Sequence, residues 1–247
     1  MQMSEYIIPI FYSALAGSAT LIGLGMVLYA QRWVRRYSFA IVSLAAGALL
    51  GTAFLDLLPE AQELSQDSVF PWLLAGFAVF YMIESMVGFH ACREDKEVAH
   101  EHVFGPVAGI GIFFHSLLDG VAIAIGFEVS NEIGLITALA VLLHELPEGI
   151  FTLSILLHAK FKRKEAIWWT VIVALATPFG TLLTLLLFPN LPESALGIML
   201  GIAAGSFVYI SASDLVPESH KSRSLASGAF VVAGILIMMV VTSTISA

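Results

Sequence analysis

The chain has 247 residues, of which 58% are hydrophobic and only 12% charged, and its mean hydropathy is +0.90. That composition excludes a water-soluble globular domain and leaves a polytopic membrane protein. The net charge of −8 comes with no basic, aromatic-laced stretch for nucleic acid and no Gly-rich phosphate loop, and the single cysteine, Cys92, excludes an intrachain disulfide and a thiolate metal cluster.

A bilayer crossing takes about 20 apolar residues. Such runs lie at about 7–30, 37–58, 71–90, 106–127, 133–157, 167–188, 194–215 and 226–246, which predicts an all-α integral membrane protein of eight transmembrane helices. No basic segment precedes the first run, so it is expected to remain as a helix and not to leave as a signal peptide. Arg32, Arg35 and Arg36 follow the first run, Arg93 and Lys96 the third, Lys160, Lys162, Arg163 and Lys164 the fifth, and Lys221 and Arg223 the seventh, which accounts for all eleven basic residues. Each falls in a loop after an odd-numbered helix, so those loops are expected in the cytoplasm and both termini outside. The opposite loops carry Glu60, Glu63, Asp67, Glu128, Glu132 and Glu193, either a weak attraction for cations or simply a solvated face.

The second helix ends in Asp56-Leu57-Leu58-Pro59-Glu60, and the seventh in Asp214-Leu215-Val216-Pro217-Glu218, which differs only at its third position. On this topology the first segment closes its helix at the outer face and the second at the cytoplasmic face. That is the trace of an inverted repeat, helices one to three against six to eight, flanking the fourth and fifth. Each aspartate would then stand as a gate between a central site and one aqueous side, with Glu218 and His220 on the inner path. The third helix carries Glu84 without an evident partner. The loop after it sets His90, His100 and His102 among Glu94, Asp95, Glu97 and Glu101, either a cytoplasmic metal collector or a solvated charged linker.

The fourth and fifth runs hold the chemistry. His115-Ser116-Leu117-Leu118-Asp119-Gly120 and His144-Glu145-Leu146-Pro147-Glu148-Gly149 lie 29 residues apart, each with histidine and carboxylate at i and i+4. On a helix such residues share a face, with Cβ atoms roughly 5–6 Å apart, and two such faces meeting would make a four-ligand cage. An acid within the bilayer costs a few kcal/mol, so Asp119, Glu145 and Glu148 each require a partner, and no lysine or arginine is left to provide one. Two carboxylates balance a divalent ion, and imidazole with carboxylate suits Zn²⁺ while tolerating Fe²⁺, Mn²⁺, Co²⁺ or Cd²⁺. Pro147 frees the Leu143 carbonyl and should bend its helix at the site. A single intramembrane histidine reads plainly as packing; the duplication is what argues for a site. Gly47 and Gly51, and Gly197, Gly201 and Gly205, read as close helix contacts, and Trp72, Trp168 and Trp169 as interface anchors.

These motifs jointly resemble the ZIP (Zrt/Irt-like protein) family of divalent metal transporters, and look most like its bacterial members, over essentially the whole chain. The resemblance implies one transmembrane transporter domain over 1–247, a 3+2+3 inverted-repeat bundle with halves at about 1–90 and 167–247 around the central pair 106–157. It implies movement of Zn²⁺ or a related ion into the cytoplasm, here across a bacterial inner membrane, with the metal as substrate and no cofactor. By position, the primary site would be His115, Asp119, His144 and Glu148, and the second site of binuclear members would map to Ser116, Asp119, Glu145 and Glu148. Ser116 stands where the family usually has asparagine, and Thr177 where some binuclear members supply a further acid, so one strong and one weak or absent metal are expected. The mechanism expected is alternating access past Asp56, through the cage, and out past Asp214, Glu218 and His220. Partners are the ion, the lipid bilayer and, where the chain self-associates, a second copy in a homodimer. Two alternatives share the site: an intramembrane zinc metallohydrolase, because His144-Glu145 opens like a His-Glu-x-x-His motif, and a metal sensor that binds without translocating.

Overall fold

The computed structural model describes residues 3–65, 68–91, 100–158, 161–188, 191–220 and 225–245, and among them the only regular structure is helical. In chain order, α1 is Met3–Tyr29, and α2 is Gln31–Thr52 continued through Ala53–Leu57 into Leu58–Leu64. Next, α3 is Phe70–Ala91, α4 is His100–Val129, α5 is Asn131–His158 and α6 is Arg163–Leu187. Finally, α7 is Glu193–Ile210 continued through Ser211–Leu215 into Val216–His220, and α8 is Leu225–Ile245. Among the described residues α1, α2, α4, α5, α6, α7 and α8 are each long and apolar enough to cross a membrane, and α3 contributes the shorter apolar stretch Phe70–Ile83. Trp72 and Trp168 are exposed within the first turns of α3 and α6, as interface anchors would be.

Two local features depart from expectation and a third follows it. The two Asp-Leu-x-Pro-Glu segments do not end their helices. Each passes through a π turn, Ala53–Leu57 or Ser211–Leu215, and the helix runs on to Leu64 or His220. Proline accounts for this: Pro59 and Pro217 have no N–H to donate, and their rings would strike the carbonyl four residues back. Widening the turn relieves both, with the Leu58 N–H reaching Ala53 O and the Val216 N–H reaching Ser211 O. Secondly, the arginine segment after α1 is not a loop, because Ala30 alone interrupts the helix and Arg32 and Arg36 belong to α2. Thirdly, the hairpin between α4 and α5 is as tight as its sequence suggests: only Ser130 separates them, and its hydroxyl accepts the Ile133 N–H at 3.1 Å, capping α5. Helix α5 continues unbroken past Pro147.

The helices sort into two groups by packing. Helices α1, α4, α5 and α6 lie against one another, with α1 along α5 and α6, and α4 along the same two; α2 pairs with α8 and α3 with α7, and the second half of α2 packs on α7. Thinner seams, α2 on α5, α4 on α7 and α3 on α4, join the groups. Glycines set the tight spacings. A Cβ on Gly47 would meet Val231 O, and one on Gly205 would meet Leu73 O; a Cβ on Gly234 would meet Leu44 O, and one on Gly76 Ile202 O. In each case the second contact is the first shifted by 158 positions. The same holds around the centre, where Gly149 abuts Thr20 O and Gly23 abuts Leu146 O, while Gly120 abuts Thr177 O and Gly180 abuts Leu117 O. Here the shifts are 157 positions between α1 and α6 and 29 between α4 and α5.

Candidate metal centre

The two His-x-x-x-acid-Gly segments face each other across the α4–α5 contact. One donor atom each from His115, Asp119, His144 and Glu148 falls within a sphere of mutual distances no greater than 4.8 Å. Asp119 Oδ2 sits at the middle, 3.3 Å from His115 Nε2 and 3.2 Å from His144 Nε2, and Glu148 Oε2 lies 3.1 Å from His115 Nε2. A tetrahedral zinc site with bonds near 2.0–2.1 Å has ligand-to-ligand edges of about 3.3 Å, so these three edges already have the right length. Asp119 and His144 are each 2% exposed and Glu148 8%, while the His115 side chain, at 15%, is the open edge of the cage.

Neighbouring groups orient the ligands. His144 Nδ1 lies 3.1 Å from the Ala140 carbonyl, which places the ring proton on that nitrogen and leaves the Nε2 lone pair facing inward. The Ser116 hydroxyl donates to Glu148 Oε1 at 2.6 Å, aiming the other carboxylate oxygen at His115. Phe80 of α3 makes a T-shaped contact with the His115 ring, centroids 5.9 Å apart, and Phe207 of α7 a T-shaped contact with His144 at 6.1 Å. With neutral imidazoles the cage carries two negative charges, and its buried Glu148 Oε2 makes no hydrogen bond in good geometry. Anionic oxygen and imidazole nitrogen, converging and incompletely satisfied, are the donor set of a divalent transition-metal ion.

Glu145 is placed differently. Although its neighbour His144 faces the cage, Glu145 is fully buried with Thr20 Oγ1 donating to Oε2 and Thr177 Oγ1 donating to Oε1, from α1 and α6 respectively. All three acids expected within the bilayer thus have partners, two through imidazoles and one through hydroxyls. The base that a His-Glu-x-x-His hydrolase needs free is thereby occupied. Sequence reasoning noticed Thr177 as a departure from the family pattern but missed Thr20, Phe80 and Phe207.

The remaining candidates lie outside this group. Asp56 is 3% exposed in the first π turn, with neither oxygen hydrogen-bonded in good geometry and Thr242 of α8 as the polar side chain beside it. Asp214, its counterpart, is exposed, as is His220 at the end of α7. The side chains of Glu84, His90, His100, His102 and Glu218 lie outside the described residues, as does the segment from Cys92 to residue 99.

A family model described as ZIP Zinc transporter matches residues 93–242. The chain is 32% identical to zinc transporter ZIP13 of Pongo abelii over 222 residues, 81% of this chain and 65% of that protein, so it spans just under two thirds of that relative's length. It is also 26% identical to zinc transporter ZupT of Corynebacterium aurimucosum over 245 residues, 92% of each chain, and 28% identical to an uncharacterized Methanocaldococcus jannaschii protein, MJ1036, over 81% of this chain and 82% of that one. With a buried two-histidine, two-carboxylate cage inside a bundle of apolar helices, and a family match over more than half its length, the chain belongs to the ZIP zinc transporter family, whose members are transporters and not enzymes.

Proposed function

We propose that this protein carries a divalent transition-metal ion, Zn²⁺ foremost, across a bacterial inner membrane into the cytoplasm, holding it between α4 and α5 on His115, Asp119, His144 and Glu148. The observation that carries this reading is the convergence of those four donors, with edges of 3.1–3.3 Å, in the buried middle of a helical bundle. Intramembrane ionisable groups without a basic partner mark ion pathways.

The route is alternating access. Eight crossings, counting α3, put every basic residue on the cytoplasmic face and both termini outside. An odd number of crossings then separates the two Asp-Leu-x-Pro-Glu segments, so the contacts repeated at 157 or 158 positions relate helices of opposite direction. That supports a 3+2+3 inverted repeat in which α1, α2 and α3 correspond to α6, α7 and α8, and α4 to α5. The cage belongs wholly to the group α1, α4, α5 and α6. From α3 and α7, Phe80 and Phe207 meet it in T-shaped ring contacts, apolar contact that can slide without breaking a hydrogen bond. Rocking of one group on the other would open the cage first toward Asp56 and then toward Asp214, Glu218 and His220.

The test is zinc entry into proteoliposomes containing an internal zinc dye, comparing the intact protein with His144→Ala and Glu148→Ala. Saturable entry lost in both variants is expected. Tight zinc binding by the intact protein with no entry would overturn transport in favour of sensing.

A further inference from the structure

We infer that Glu145 is a positioning residue and not a metal ligand, so that the cage takes a single divalent ion. This rests on the metal-site reading above and asks how the site is held. Both oxygens of Glu145 are taken by hydroxyls, Thr20 from α1 and Thr177 from α6, and all three side chains are fully buried. A cation approaching this carboxylate would meet the positive ends of two O–H dipoles. Each oxygen keeps a second lone pair, but an ion bound there would lie beside an O–H dipole aimed at the same oxygen, and turning the hydroxyls away would strand them in a fully buried site, with the Glu145 carbonyl at 3.3 Å as the other acceptor of Thr20. Ser116, at the corresponding position of α4, is likewise occupied as a donor to Glu148.

The same two threonines fix the cage from the backbone side. Thr20 O lies against Gly149 and Thr177 O against Gly120, the glycines that close the two ligand segments. Their carbonyls therefore set how closely α1 approaches α5 and α6 approaches α4. Their hydroxyls, converging on Glu145 from both sides, set the rotation of α5 about its axis. Glu145 adjoins His144 and precedes Glu148 by less than a turn, so that rotation decides whether both ligands aim at Asp119 and His115.

Co²⁺ titration of the full chain in detergent, read by visible absorption and by ion stoichiometry, tests this. The native protein should bind one ion. Glu145→Ala should weaken binding at least tenfold and alter the absorption band. Glu145→Gln should bring affinity back to within threefold of native, because its amide accepts from one threonine and donates to the other. Two ions bound to the native chain, or a glutamine variant as weak as the alanine one, would overturn the role assigned to Glu145 alone. Failure of His144→Ala to weaken Co²⁺ binding would instead overturn the metal-site reading on which it stands.

Discussion

Gly23 and Gly25 lie two residues apart on α1, and their replacement by alanine should have opposite effects. A Cβ at Gly25 meets nothing within 4 Å, whereas one at Gly23 would enter the Leu146 carbonyl and stand 2.9 Å from Ile150 N and 3.2 Å from Gly149 C. Alanine should gain about 0.5–1 kcal/mol at either position from backbone entropy. At Gly23 that gain is set against overpacking of about 1–3 kcal/mol, since α1 and α5 must separate by about 1 Å. The entropy gain is common to both variants, so the difference between them isolates the steric cost, about 1–3 kcal/mol, or roughly 2–12 °C at about 2–4 °C per kcal/mol. Leu146 lies between His144 and Glu148, so the displacement also reaches the cage, and zinc affinity should fall about 10- to 100-fold, as when groups supporting metal ligands are disturbed. Thermal unfolding in detergent and zinc titration measure the two effects. Gly23→Ala melting at or above Gly25→Ala, with native zinc affinity, would refute the view that glycine contact sets the helix spacing around the site.

Asp119→Asn keeps the side chain's size but removes the charge that faces both imidazoles, and zinc affinity should fall at least 100-fold, about 2.7 kcal/mol; competition against a chelating dye reads this. Gly47→Ala and Gly205→Ala strike carbonyls 158 positions apart in matched interfaces, so their melting temperatures should fall by similar amounts, and a large effect at one with none at the other would sink the repeat. Ser211→Ala removes the 2.8 Å hydrogen bond that joins α7 to Ala46 O on α2; it should cost about 0.5–1.5 kcal/mol and leave zinc stoichiometry as it was. Stripping the ion with a chelator should lower the melting temperature relative to saturating zinc, because an ion at 100 times its Kd stabilises the folded state by about 2.7 kcal/mol.

The cage was legible because its signal is local. Histidine and acid at i and i+4 share a helix face whatever the rest of the chain does, and the absence of any lysine or arginine within the apolar runs left the acids few other partners. The π turns were not legible: a proline after an aspartate reads as a helix end, and only the packing of α2 against α7 and α8 shows that the helix has reason to continue. The two Asp-Leu-x-Pro-Glu segments were half legible. Nearly identical pentapeptides predict equivalent aspartates, yet Asp56 is buried and Asp214 exposed, a difference set by neighbours and not by the motif. The hydroxyl clamp is tertiary: its donors lie 125 and 32 residues from Glu145, and a threonine in an apolar helix carries no local sign of its partner.

The two ligand segments match in histidine, acid and glycine but differ at the residue after the histidine, and the difference sets the charge of the site. Had Glu145 joined Asp119 and Glu148 as a third carboxylate donor, the cage would carry one negative charge more than a divalent ion balances. Held by Thr20 and Thr177, Glu145 stays out of the four-donor set, which keeps two carboxylates and two imidazoles for one divalent ion, while its own buried carboxylate is met by two hydroxyl donors. Ser116 at the matching position adds a hydrogen bond to Glu148 without adding charge.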